Sequence, residues 1–194
     1  MPVISPTDVT FYAWAVWFAS WMVAALWSSR VERRSRSHAD HAYRLLTTIG
    51  AVLLFDLHLP WHWSVATVWR AGNTTGWILA ATAISGFAVA WWARITLGRL
   101  WSGSVTRKVD HEIISAGPYR MVRHPIYSGL LLSVAATAAL RGTAAAVLGA
   151  VAIGIGLFVK ARVEERFLRS ELGSERYDGY ARHVPMLVPL KRRG

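Results

Sequence analysis

The sequence predicts an all-α polytopic membrane protein of about five transmembrane helices, the last two forming a tight hairpin, with its polar motifs on the cytoplasmic side. Three observations predict this. Hydrophobic residues make up 54% of the 194 positions and charged residues only 17%, below the roughly one quarter usual in soluble proteins. Apolar runs recur at close to the length of about twenty residues that a bilayer requires. Lys and Arg fall in blocks between those runs, none before the first, then five, one, five, one and nine. Such alternation sets membrane topology, and here it places the amino end outside and the carboxyl end in the cytoplasm.

Residues 1–10 hold no basic residue, unlike the charged start of a secretory signal. Phe11 to Ser29 is uncharged and forms span one. A basic stretch from Arg30 to Arg44 leads into Leu45 to Phe55, an apolar run that Asp56 and His58 interrupt before Pro60, so this span is expected to kink or partly re-enter. Trp61, Trp63 and Trp69 lie in the following loop, where Trp marks the membrane interface. From Gly76 the chain is uncharged up to Ala93 and reads as span three, ending near Arg94 and Leu97. Spans four and five, Ile126 to Leu140 and Thr143 to Val159, are separated only by Arg141-Gly142. So short a connection forces an antiparallel hairpin. Both are rich in Ala and Gly, which lets helices approach closely in lipid. Residues 1–96 thus read as three helices and 97–194 as a core of two helices with a polar loop and tail.

The net charge of +11 needs no nucleic-acid partner, because topology accounts for the basic blocks. The absence of Cys removes disulfides, thiolate metal sites and thiol nucleophiles together. The seven His show no spacing typical of a metal site, and no metal is expected.

Gly117 to Gly129 concentrates two Pro, two Tyr, two Arg and a His between a charged loop and an apolar run. A Pro disfavours helical dihedrals in the residue before it, so Gly117 and His124 should be extended or turning. Pro125 suits the first position of a helix. A rigid polar turn would then deliver Arg123 and His124 to the mouth of span four. A second polar cluster follows span five. If that helix continues past the bilayer, Lys160, Glu164 and Leu168 share a face at four-residue spacing, Glu165 belongs to another face, and Gly173 stops the helix.

Taken in order, Leu97-Gly98, Trp101-Ser102, His111, Ile113-Ile114, Gly117-Pro118-Tyr119, Arg123-His124-Pro125, Tyr127, Gly129, Glu164-Glu165, Leu168, Gly173, Tyr177, Tyr180 and Val184-Pro185 resemble the integral membrane methyltransferases typified by isoprenylcysteine carboxyl methyltransferase, with phospholipid methyltransferases as relatives. The resemblance covers about half the chain, from Leu97 to Pro189. It implies S-adenosylmethionine as cofactor, with contacts falling on His111, Glu112, Ile113, Ile114, Tyr119, His124, Pro125, Ile126, Tyr127 and Glu164. The acceptor-orienting Arg of that family falls on Lys160, which keeps the charge and loses the two-pronged fit to a carboxylate.

The expected activity is methyl transfer to a lipidic or lipid-modified acceptor that enters from the bilayer, carboxyl O-methylation foremost. Alternatives are phospholipid N-methylation, a nicotinamide-dependent reductase of related membrane fold, and a non-enzymatic protein binding membrane lipids.

Overall fold

The computed structural model describes residues 4–26, 31–34, 38–57, 67–98, 101, 106–108 and 114–190. Among these, six α-helices carry the fold: α1 (Pro6–Ala25), α2 (His38–Phe55), α3 (Asn73–Leu97), α4 (Pro125–Arg141), α5 (Ala144–Leu172) and α6 (Ser174–His183). Two of them, α3 and α5, are long and apolar enough to cross a membrane; α4, at 17 residues, is apolar and shorter.

Local chemistry explains several boundaries. Helix α1 begins five residues ahead of the apolar run, because Ser5 and Asp8 close a reciprocal capping box and Pro6 occupies the first turn, satisfying amides that a helix start leaves without partners. The expected end of span one at Ser29 lies outside the described residues, the helix closing at Ala25. Helix α2 starts well before its apolar run, at His38, with Asp40 in its first turn, where a negative charge complements the helix dipole. It shows no break before Phe55 and stops where Asp56 takes a left-handed φ of 50°. The path from His58 through Trp63, where re-entry was expected, lies outside the described residues.

The helices pack as two close pairs. In the first, α3 lies on α4: a side chain at Gly86 would overlap the Gly129 carbonyl and the Ser133 hydroxyl, and one at Gly129 would meet the Gly86 carbonyl. The Ser133 hydroxyl also donates across the pair to the Ala83 carbonyl at 2.8 Å. In the second, α2 lies on α5: a Cβ at Gly156 would stand 2.8 Å from Thr47 Cγ2 and 3.1 Å from the Tyr43 carbonyl. Backbone contact of this kind is how helices associate where water supplies no driving force.

Helix α1 joins the bundle through rings. Trp14 meets Phe55 and Phe87 edge-on at 5.3 and 4.7 Å between centroids, and Trp21 meets Trp91 and Trp101 at 5.5 Å each. These geometries suit the ring quadrupoles. Arg94, 1% exposed, ties the far end of α1 to α3 by donating to the Ala24 carbonyl at 2.7 Å and to Gly98 at 2.5 Å.

The helices make an all-α fold, to which one small ribbon is added. Two short strands, β1 (Val31–Arg34) and β2 (Thr106–Lys108), form an antiparallel ribbon that joins the segment after α1 to the segment after α3. With three and four residues and no apolar alternation, neither strand leaves a period that a sequence reading would detect.

Candidate active site

The polar stretch folds as a single 3₁₀ turn, Gly117–Arg120, followed by Met121 to His124 and then α4 with Pro125 as its first residue. Gly117 takes a left-handed φ of 53°, and His124 sits at the helix mouth with φ −125° and ψ 62°. Both therefore turn.

A segment distant in the chain supplies partners for the loop's amides. Arg123 N donates to the Pro185 carbonyl at 2.9 Å and His124 N to the Met186 carbonyl at 3.1 Å, while the Ser128 hydroxyl donates to Leu187 at 2.6 Å. The Arg123 guanidinium donates to the carbonyls of Ala181 and Val184. Residues 181–187 thus strap the loop to the mouth of α4. From α6, the Tyr180 hydroxyl donates to the Tyr119 carbonyl at 2.7 Å.

Helix α5 meets this loop with two successive carboxylates. His124 stands between them, its Nδ1 3.5 Å from Glu164 Oε2 and its Nε2 3.3 Å from Glu165 Oε1. Arg123 clamps Glu165 through Nε and a terminal nitrogen, each at 2.7 Å from Oε1. The Tyr127 hydroxyl donates to Glu164 at 2.5 Å, and its ring stacks on His124 at 5.5 Å with a 6° interplanar angle. One turn back on α5, the Lys160 ammonium stands over the rings of Tyr127, at 5.3 Å, and of Tyr43 from α2, at 5.6 Å.

The charges hold one another in place. Burial pushes the His124 imidazole down, but hydrogen bonds to Glu164 and Glu165 outweigh it, so its pKa lies above the ordinary value. Glu165 lies beyond Val159, where the sequence reading ends span five. Burial pushes its carboxyl up, and His124 and Arg123 overcome this to bring it down to about 2. Glu164 is lowered in the same way, burial opposing and His124 and Lys160 prevailing. Burial and the nearby Glu164 charge keep the Tyr119 phenol protonated far above its usual range.

Of the residues singled out in the sequence, His124, Tyr127, Glu164 and Lys160 meet in one cluster, with Tyr119 close enough to feel Glu164. Pro125 and Ile126 are buried beside them, Ile126 in the hydrophobic core. Ile114 packs against that core, partly buried. His111, Glu112 and Ile113 lie outside the described residues. The sequence reading gave no role to Arg123's clamp, to the strap or to Tyr43, and it set Glu165 on a face away from Glu164. Adjacent residues on a helix do diverge by about 100°, yet a His between them reaches both. The Arg-His dipeptide facing a Glu-Glu dipeptide was the available signal. A cavity of about 160 Å³, lined by Asp8, Trp14, Thr137 and Arg141 among others, belongs to the other end of α4, roughly 25 Å away at 1.5 Å per residue.

Comparison with known proteins places this arrangement. The isoprenylcysteine carboxyl methyltransferase family profile matches residues 78–170, which carry the loop, α4 and both carboxylates. Methanethiol S-methyltransferase 2 of Bradyrhizobium diazoefficiens is 32% identical over 170 residues, covering 76% of this chain and 58% of the relative. Protein-S-isoprenylcysteine O-methyltransferase B of Arabidopsis thaliana is 30% identical over 143 residues, covering 72% and 67%. The cobalt-zinc-cadmium resistance protein CzcN of Cupriavidus metallidurans is 32% identical over 97 residues, covering 48% and 44%. The chain thus spans between 44% and 67% of the length of these relatives. The profile match over the loop and both carboxylates, together with similarity across two thirds of the plant enzyme, establishes that this chain belongs to the isoprenylcysteine carboxyl methyltransferase family.

Proposed function

We propose that this protein transfers a methyl group from S-adenosylmethionine to the carboxylate of a lipidic or lipid-modified acceptor, at a site on the cytoplasmic side of a membrane. The observation that carries the reading is the junction of Glu164 with His124, a carboxylate and an imidazole 3.5 Å apart at the mouth of α4 in a chain of this family. The residues fit the cofactor in part: Glu164, held by His124, suits the ammonium of its amino-acid end, and the rings of Tyr119 and Tyr127 offer walls for an adenosine. His111 to Ile114 would complete the loop side.

When bound, the cofactor supplies an electrophilic methyl group. A carboxylate acceptor is ionised at neutral pH and needs no base. It needs alignment, because displacement at the methyl carbon requires the acceptor oxygen in line with the breaking bond to sulfur. Lys160, one turn before Glu164, is the cation placed to orient that oxygen. A lipid tail would reach the site laterally, between helices.

The topology proposed is five spans, α1 to α5, with the amino end outside, the carboxyl end in the cytoplasm, and residues 97–194 as the methyltransferase core. Reporter fusions test it: one at Asn73 should report the outside and one at Gly194 the cytoplasm.

Titration with S-adenosylhomocysteine tests the cofactor, and absence of binding overturns the reading. Labelled S-adenosylmethionine incubated with native membranes tests the acceptor. A methyl ester releases its label in base, whereas a methylated sulfur or nitrogen keeps it. The relative named as a methanethiol S-methyltransferase favours a second reading, a small thiolate acceptor, and base-stable volatile label would select it. Lys160→Ala should leave cofactor affinity nearly unchanged while collapsing turnover, since only acceptor placement is lost; full activity ends the orienting role. Lys160→Arg should keep activity on a carboxylate.

A further inference from the structure

The family profile begins at residue 78, so nothing in the match assigns a role to α2. Yet one α2 side chain reaches the cluster. Tyr43 is 4% exposed, and the Lys160 ammonium stands 5.6 Å from its ring centre, against 5.3 Å from that of Tyr127. Within about 6 Å of a ring face, a cation is attracted by the ring quadrupole, more strongly as water is excluded.

The backbone explains how the contact arises. Gly156 is the point where α5 lies against α2, with the position of its absent Cβ 2.8 Å from Thr47 and 3.1 Å from the Tyr43 carbonyl. Lys160 follows Gly156 by four residues and therefore lies on the same face of α5, one turn on. The close approach that Gly156 permits delivers Lys160 to Tyr43.

We propose that Tyr43 is a positioning residue, which together with Tyr127 forms a two-ring cradle that fixes where the Lys160 ammonium sits. This rests on the reading of Lys160 as the group that orients the acceptor. A long, flexible side chain loses rotamer freedom when it is held, and ring faces on two different helices restrict it in a way that a carboxylate one turn along the same helix does not. The cradle also couples the amino-terminal helices to the chemistry, because any shift of α2 against α5 moves one wall.

The chain contains three lysines, Lys108, Lys160 and Lys191, which makes the test direct. Reductive methylation with ¹³C-formaldehyde labels each amine while keeping its charge, and Lys160→Arg identifies the Lys160 signal by its loss. In the full-length protein that signal should lie upfield of free dimethyl-lysine, because ring currents shield groups held over aromatic faces. Tyr43→Phe should keep the upfield shift, and Tyr43→Leu should lose a large part of it with S-adenosylhomocysteine affinity retained within about threefold. Gly156→Ala, which pushes α2 away and leaves both rings intact, should reduce the shift as well and serves if Tyr43→Leu does not fold. An unchanged signal in Tyr43→Leu or Gly156→Ala overturns the proposal. So does loss of S-adenosylhomocysteine binding together with the shift, which would make Tyr43 a structural residue. Wild-type protein that binds no S-adenosylhomocysteine would sink the methyltransferase reading and leave the position of the Lys160 signal to be judged by itself.

Discussion

At the amino end of α4, Arg123 and Glu165 have side chains 10% and 8% exposed and meet at 2.7 Å, with His124 against the same oxygen. At the carboxyl end, Arg141 and Asp56 have side chains 24% and 51% exposed and stand 3.8 Å apart. The residue types are alike. The surroundings differ: the first pair is enclosed by a strap, a tyrosine and a second carboxylate, while the second borders a turn in which the Gly142 carbonyl accepts from Val68 and Trp69. The first ion pair is buried and multiply bonded, and the second is more exposed and rests on one long contact.

The contrast fails first at Glu165 if it is wrong. Removing one partner from a buried pair strands the other, at a cost of about 3–5 kcal/mol, so Glu165→Ala should lower stability by that amount in denaturant titrations of purified protein. A loss below 1 kcal/mol would make the two ends equivalent. Next in size is Glu164→Gln, which removes charge at nearly constant shape. S-adenosylhomocysteine binding, measured by calorimetry, should weaken by about 1.5–3 kcal/mol, the range for a hydrogen bond to a charged group.

The pH response sharpens the same contrast. His124 is raised above 6.5 in the folded protein, so its contribution is full below that value and fades as pH rises through the folded pKa. Glu165 is depressed from 4.5 to about 2, so its contribution is full above 4.5 and fades as pH falls toward 2. Stability should therefore peak between 4.5 and 6.5. Melting curves of His124→Gln should lose the decline on the alkaline side, and an identical decline in the variant would assign it to another group. The smallest effect is expected at the far end, where Arg141→Gln should change stability by about 0–1 kcal/mol, as exposed pairs do. A larger loss would give the cavity beside Arg141 a structural weight that its exposure argues against.

Helices α3 and α5 were legible in this sequence because their apolar runs are long, and the mouth of α4 because Pro125 and its neighbours constrain the backbone. The Lys160 to Glu164 face followed from helical spacing. What the sequence hid is whatever depends on two distant segments meeting. Arg123 says nothing of the carbonyls of Ala181 and Val184, Tyr43 shows no sign of Lys160, and the edge-on rings of Trp14, Phe55 and Phe87 come from three different helices. Glu165's link to His124 and Arg123 was hidden for a related reason, since helix geometry alone omits the partners that reach around to it.

The strap has a consequence in time. Arg123 and the Val184 carbonyl that its guanidinium bonds are separated by 61 residues. At about 5–20 residues per second of synthesis, roughly 3–12 s pass between the addition of Arg123 and that of Val184. During that interval the loop's amides and the Arg123 guanidinium must rely on water or on passing companions. The cluster at the mouth of α4 is therefore the last part of the molecule to mature, and a ribosome stalled between α5 and Val184 would leave a nascent chain carrying both carboxylates without the strap that encloses them.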